Sequence, residues 1–417
     1  MTRVLHTGDT HLGYRQYHSA ERRADYVAAF RQVIDDAIDD EVDAVIHAGD
    51  LYHDRRPGLP DLQATIDVLA DLRDAGVPFL GIVGNHEGTR EGQWLDLLES
   101  LGLATRLDDR GTVVGDVTFY GLDHVPESRR DDLDYTFAPP DTEYAALVSH
   151  GLFEPFDGAD WDTETVLDES NVAFDVLLLG DNHTPDTARV DGTWVTYSGS
   201  TERTSAAERE ERGYNLVEFD DDVAISRRAI DAAREFVFVD VELGPADGAE
   251  VVEERVRQHE VDDAVVIVTV EGDGEPFAPG SIEELALDRG ALVARVNDRR
   301  EIDDEGGELS VSFADPDDAV RERVSELGLS EAAHAIDGTV RDGTIADTNV
   351  RGRVEETVRE LLDEDGAFDD AGDPSETAAE PSGVEPSEEE SSEEDTPQEE
   401  ESGNDPTADQ ASMEEYT

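Results

Sequence analysis

Short apolar runs alternate with stretches of helical periodicity along the first hundred residues. RVLHTGD opens with a strand that stops at a polar loop. From Arg22 to Asp40, Val27, Phe30, Ile34 and Ile38 recur at roughly helical spacing, and VDAVIHAGD returns to a strand. Leu59 to Gly76 reads as a helix ended by glycine. VPFLGIVGNH is a further strand and GQWLDLLESLG a further helix. The alternation predicts an α/β fold, a β-sandwich or doubly wound sheet flanked by helices.

The rhythm then changes. GTVVGDVTFYG and ARVDGTWVTYSG read as hairpins turning at Gly-Asp and Asp-Gly, and GYNLVEFDDDVAISRRAI as a third. EYAALVSHG and FDVLLLGDNH are apolar strands that again end in polar loops. These elements make residues 1–230 one domain. From 231 to 340 the strand-like FVFVDVEL, AVVIVTV and ALVARVND and the helix-like GAEVVEERVRQHE and SIEELALDRG predict a smaller α+β module. In residues 341–365, Val350, Val354, Val358, Leu361 and Leu362 fit one side of an amphipathic helix, marginal alone and in need of something to dock on. Residues 366–417 read as an acidic, disordered tail; from 363 onward there are 22 acidic residues and no basic one.

Composition narrows the chemistry. No apolar run approaches the roughly 18 residues of a membrane span, and no basic start leads into an apolar stretch, so a cytoplasmic protein is expected. Cysteine is absent, so a metal would be held by His, Asp, Glu or Asn. The formal net charge is −73, and all 32 basic residues are Arg. Such a surface suits strong screening, with a Debye length of about 3 Å at 1 M salt, and points to salt adaptation. It lowers the expectation of a DNA partner without removing it, because bound divalent ions alter the local field.

Four segments share one layout, a strand end followed at once by metal-capable side chains. They are GDTH (Asp9, His11), GDLYH (Asp50, His53), GNH (Asn85, His86) and GDNH (Asp181, His183); SHG adds His150. Any one alone is more often a turn, a helix cap or a satisfied polar group. All five in order point to loops converging beyond the carboxyl ends of strands. Asp, Asn and neutral His suit manganese, zinc or iron, and two ions about 3.5 to 4 Å apart can clamp an in-line displacement at phosphorus. His6 and His47 lie inside strands and His124 near a strand end, so packing or supporting roles are expected. His18, before a helix, is a weaker candidate for substrate contact.

The order GDTH, GDLYH, GNH, SHG and GDNH, followed by YSGSTERTS, resembles the calcineurin-like metallophosphoesterases. Within them it is similar to the SbcD-like nuclease subunits of archaeal double-strand-break repair complexes. The resemblance implies a manganese-dependent 3′–5′ exonuclease and single-strand endonuclease. Asp9, His11, Asp50 and His183 would hold one ion; Asp50 would bridge to a second held by Asn85, His150 and Asp181. His86 would face the scissile phosphate and His53 would position the strand. Residues 231–340 would cap the DNA, 341–365 would grip a coiled-coil SMC-like ATPase, and helices near 59–75 and 92–101 would form a homodimer. Arg15, Arg22, Arg23, Arg55, Arg56 and Arg90 are candidate phosphate contacts, and Arg203 would position the DNA backbone or the neighbouring domain. The chain departs from the family at GDNH, where GHxH is usual; Asp181 is a harder, charged donor and predicts a shift from zinc toward manganese or magnesium. Two other readings share the scaffold: a phosphoesterase for small molecules or proteins, and a DNA-end-binding subunit whose hydrolysis is dispensable.

Overall fold

The computed structural model describes residues 1–89, 92–300 and 358. Residues 301–340 of the expected smaller module, the expected ATPase-binding segment (Val358 apart), the acidic tail and Arg90 lie outside the described residues.

The first domain runs β1 (Thr2–Thr7), α1 (Ala20–Asp39), β2 (Ala44–His47), α2 (Leu59–Asp74), β3 (Phe79–Gly81), α3 (Trp94–Ser100), β4 (Thr105–Arg106), β5 (Thr112–Val114), β6 (Val117–Leu122), β7 (Tyr144–His150), α4 (Thr163–Glu169), β8 (Val176–Gly180), β9 (Asp186–Val190), β10 (Thr193–Tyr197), β11 (Gly213–Phe219) and β12 (Val223–Ala229). Two six-stranded sheets result, in the orders β12-β11-β1-β2-β3-β4 and β5-β6-β7-β8-β10-β9. The helix-connected strands β1 to β4 are parallel, while the three predicted hairpins pair antiparallel.

Strand periodicity explains the layers. Side chains alternate between faces, so Val4, Ile46, Phe119, Val148 and Leu178 meet between the sheets. Their neighbours Leu5 and Val45 face α1 and α2, and Leu147 and Leu177 face Phe153, Trp161 and Val166 on the other side. Each such side chain, fully buried, contributes about 1.5–3 kcal/mol. Both faces of β2 and β8 are thus covered, as their unbroken apolar runs require.

The second module alternates β13 (Phe236–Leu243), α5 (Ala249–Arg257), β14 (Val265–Gly272), α6 (Pro279–Asp288) and β15 (Val293–Asp298). Its three strands are parallel. Val239, Val241 and Val268 pack on Val252, Val256 and Ile282 of the helices. The opposite face, with Phe236, Val265 and Ile267, meets Tyr17 and Ala206 of the first domain. Arg22 and Arg203 lie over the Phe236 ring, and Arg209 forms a bidentate pair with Asp240 at 2.7 Å. No helix among the described residues is long and apolar enough to cross a membrane.

Candidate metal centre

The five motif loops meet at one edge of the sandwich. Asp9 and His11 follow β1, Asp50 and His53 follow β2, and Asn85 and His86 follow β3; His150 ends β7, and Asp181 and His183 follow β8. The backbone is held in the left-handed region at Asp9 (φ 49°), His11 (44°), Asp50 (56°) and Asp181 (91°). Non-glycine residues rarely sit there, and such strain clusters at functional sites. Two glycines make the close approach possible. A Cβ at Gly84 would overlap the Asp50 carboxylate, and one at Gly49 would lie 2.6 Å from His150 Nδ1.

Two clusters offer metal-ligand geometry: Asp9, His11 and His183, and Asp9, Asp50 and His150. They share Asp9, and Asp50 Oδ2 stands 3.9 Å from His11 Nε2 and 3.5 Å from His150 Nε2. Asn85 Oδ1 lies 3.2 Å and Asp181 Oδ1 3.7 Å from that same His150 Nε2. Asp9 accepts the Asp181 backbone N–H on both oxygens at 3.1 Å. A third group, His11, His53 and His86, adjoins the first.

The donor set fits divalent ions. His150 directs Nδ1 at the Ala48 carbonyl, 2.7 Å away, and His183 directs Nδ1 at Glu208, 2.9 Å away. Each Nε2 is thereby turned to buried carboxylates, and His183 Nε2 lies 3.0 Å from His11 Nε2. Acceptors packed this tightly need either protons or a cation between them. Burial pushes the Asp9 carboxyl up to about 6, against the pull of His183 and His150. Burial opposes ionisation of Asp50 too, but His150, His11 and His86 hold its carboxyl well below the usual range. Burial would lower the pKa of His183; the Glu208 hydrogen bond and Asp9 outweigh it and lift it to about 9. His150 is likewise raised, burial being outweighed by Asp50.

Residues 2–185 match the family model described as calcineurin-like phosphoesterase. The DNA double-strand break repair protein Mre11 of Haloferax volcanii is 62% identical over 384 residues, which are 92% of this chain and 87% of that protein. This chain belongs to the Mre11 family. The Mre11 of Halobacterium salinarum is 59% identical over 382 residues, 90% of this chain and 98% of that protein. The Methanosarcina acetivorans Mre11 is 42% identical over 374 residues, 86% of this chain and 60% of that longer protein. The two most similar of these come from halophiles, in keeping with the chain's acidity, and the family match agrees with the sandwich of two sheets and its two-metal chemistry.

Beside the clusters, the His86 backbone N–H donates to Asp50 Oδ1 at 3.0 Å, and its Nδ1 lies 2.9 Å from the His53 carbonyl. The His53 ring stacks on Tyr14, centroids 3.9 Å apart; burial and then His86 bring its pKa down to about 4, so it is neutral near pH 7. Buried His47 bonds Thr10 Oγ1 at 3.1 Å in the expected supporting place. His6 is fully buried, and burial brings its pKa down to about 3. His124 lies close to His150, ring centroids 6.0 Å apart. His18 is held at a positive φ of 58° and is outside the clusters.

The arginine expectation needs correction at Arg22. It is fully buried, pairing with Asp25 at 2.7 Å and Glu202 at 3.3 Å, so it is not a surface phosphate contact. Arg23 pairs with Asp61 at 2.6 Å. Arg15 and Arg23 line a cavity of about 390 Å³ that reaches Tyr14 and His53. Arg203 reaches the neighbouring module, stacking on Phe236 while donating to the carbonyls of Glu208 and Glu210 at 3.0 Å.

Sequence reasoning missed Glu208 and Glu87. Glu87 accepts the Tyr52 N–H at 3.1 Å beneath Asp50, and burial, with Asp50 adding, pushes its carboxyl up to about 8. Its signal was adjacency to GNH. Glu208 had none in its own segment, because its contact with His183 exists only after β10 and β11 have paired into different sheets.

Proposed function

We propose that this chain is a metal-dependent DNA nuclease of double-strand-break repair, a 3′–5′ exonuclease and single-strand endonuclease with two manganese ions per subunit. The observation that carries this reading is a pair of Asp/His clusters sharing Asp9 with two further histidines, His53 and His86, at their side. Asp9, His11, Asp50 and His183 would hold one ion, and Asp50, Asn85, His150 and Asp181 the other. Such ions polarise a phosphoryl oxygen and acidify an attacking water.

The chain's own residues do the rest. Asp50, through the His86 backbone N–H, fixes where the His86 ring begins. The His53 carbonyl engages Nδ1 and leaves Nε2 as the atom available to the scissile phosphate or the leaving oxygen. The stack on Tyr14 orients neutral His53 to place the strand rather than to add charge. Arg15, at the cavity beside it, supplies positive charge for a backbone phosphate. Residues 231–340 would cap the DNA. The Haloferax and Halobacterium relatives are DNA double-strand break repair proteins, and residues 341–365 would be the segment that grips a coiled-coil SMC-like ATPase. Leu59 on α2 and Leu97 and Leu101 at α3 are exposed apolar side chains on the helices assigned to a homodimer. The protein would act in the cytoplasm, on DNA ends at the nucleoid.

The test offers circular single-stranded DNA and a generic phosphodiester ester, each with manganese in molar salt. The wild type should cut the DNA and His86→Ala should not. Hydrolysis of the ester alone would leave a phosphoesterase without a DNA substrate.

A further inference from the structure

Behind His183, on the side away from the carboxylates, lies a buried polar node. Glu208 Oε1 is 2.9 Å from His183 Nδ1. The same oxygen accepts the Thr204 hydroxyl at 2.7 Å, and Thr204 Oγ1 is itself 2.8 Å from His183 Nδ1. Glu208 Oε2 accepts the Thr204 backbone N–H at 3.1 Å and Arg212 Nη1 at 3.0 Å. Arg212 Nη1 also reaches the His183 carbonyl at 3.2 Å and Ser200 Oγ at 2.9 Å. Glu208 is 9% exposed and Arg212 2%, so the carboxylate cannot swing into solvent and its orientation is set from both sides.

We infer that Glu208, steadied by Thr204 and Arg212, is the positioning residue that turns His183 Nε2 toward the metal centre. An imidazole has two nitrogens, and which one ligates is decided by the hydrogen bond the other makes. With Nδ1–H committed to Glu208, the Nε2 lone pair faces Asp9 Oδ1 at 3.9 Å and His11 Nε2 at 3.0 Å. Without the carboxylate, the Thr204 hydroxyl, 2.8 Å from Nδ1, is left as a neutral acceptor whose own orientation Glu208 had fixed. The opposite histidine solves the same problem with the Ala48 carbonyl, so the two halves of the centre differ. His150 is oriented by a neutral backbone group and His183 by a carboxylate. The node also reaches the second module, since Arg203 holds the Glu208 carbonyl and stacks on Phe236.

The inference rests on the metal reading above, and the experiment separates the two. Binding of MnCl2 alone is measured by electron paramagnetic resonance on the full chain in molar KCl. The variants are Glu208→Ala, Glu208→Gln, His183→Ala and the His183→Ala/Glu208→Ala double mutant. Loss of such an outer partner weakens affinity by about 10- to 100-fold. Glu208→Ala should do this at one manganese site and spare the other, and Glu208→Gln, which keeps an acceptor for Nδ1–H, should lose less. In the His183→Ala background, removing Glu208 should cost no further affinity, because a residue acting through another is non-additive with it. A merely structural Glu208 would instead weaken binding equally in both backgrounds, and that result, or unchanged affinity in Glu208→Ala, overturns the inference. If Glu208→Ala does not fold, the same cycle run with Glu208→Gln decides by the same criterion. A wild type that binds no manganese, or a His183→Ala that binds as the wild type does, sinks the metal reading instead.

Discussion

Manganese uptake should release protons, and affinity should climb steeply with pH. A ligand nitrogen must offer its lone pair, so any proton on Nε2 has to leave when the ion enters. In the metal-free centre, the Glu208 hydrogen bond and Asp9 overcome the effect of burial and raise the His183 pKa to about 9. At pH 7 His183 therefore holds a proton that competes with the metal by about two pH units, roughly 100-fold in affinity or 2.7 kcal/mol at 1.36 kcal/mol per unit. The sign is fixed: affinity at this site rises about tenfold per pH unit up to about 9 and levels off above it. Burial of His150 is likewise outweighed by Asp50, which raises its pKa and acts in the same direction. Asp9, lifted by burial to about 6, is ionised at pH 7 and steepens the dependence only below about 6. Calorimetric titration with MnCl2 at pH 6.5 and 8.5, in two buffers of different ionisation enthalpy, reads affinity and protons together. The expected result is at least one proton released per chain and an increase on the order of 100-fold. A flat affinity with buffer-independent heat would refute the assignment of protons to these histidines.

Three further outcomes follow from named contacts. Asp181→Ala should weaken one manganese site roughly tenfold or more, and Asp181→His should move the preference toward zinc; if both keep the parent's metal dependence in binding and cleavage, Asp181 is not a ligand. Gly84→Ala should lower the melting temperature by an amount corresponding to about 1–3 kcal/mol and impair manganese binding, because its Cβ collides with the Asp50 carboxylate. Arg22→Met leaves buried Glu202 without its cationic partner, while Asp25 keeps Arg234, and should cost about 3 kcal/mol or more in urea unfolding at constant salt, with DNA binding by the folded fraction unchanged.

What could be read in advance follows from locality. Asp9, His11, Asp50, Asn85, His86, His150 and His183 each stand within a few residues of an apolar strand end, so pattern alone brought them to one edge of the sandwich. The hairpins at Gly115 and Gly192 carried their turn residues with them. Arg22 was misjudged because its neighbours in sequence look like a basic surface cluster, whereas its partners Glu202 and Phe236 are some two hundred residues away. Helix α4 went unnoticed because only Val166 and Leu167 in its seven residues are apolar. Glu208 was illegible for the same reason as Arg22: a contact across 25 residues and two sheets has no periodicity.

The loops after β1, β2 and β3 belong to one sheet and those after β7 and β8 to the other, so the donor clusters straddle the seam of the sandwich. An ion held by Asp9 and His183 ties together points 174 positions apart in the chain, and one held by Asp50 and His150 ties points 100 apart. A chain without cysteine has no disulfide with which to pin its two halves; here the catalytic cation would be the clasp. Binding to the folded state alone stabilises it by mass action, so chelation should open this edge of the molecule first, with faster amide exchange in β7 and β8 than at the covered far end of the sheets. The same ions would then set both the chemistry of the site and the mechanical closure of this edge of the sandwich.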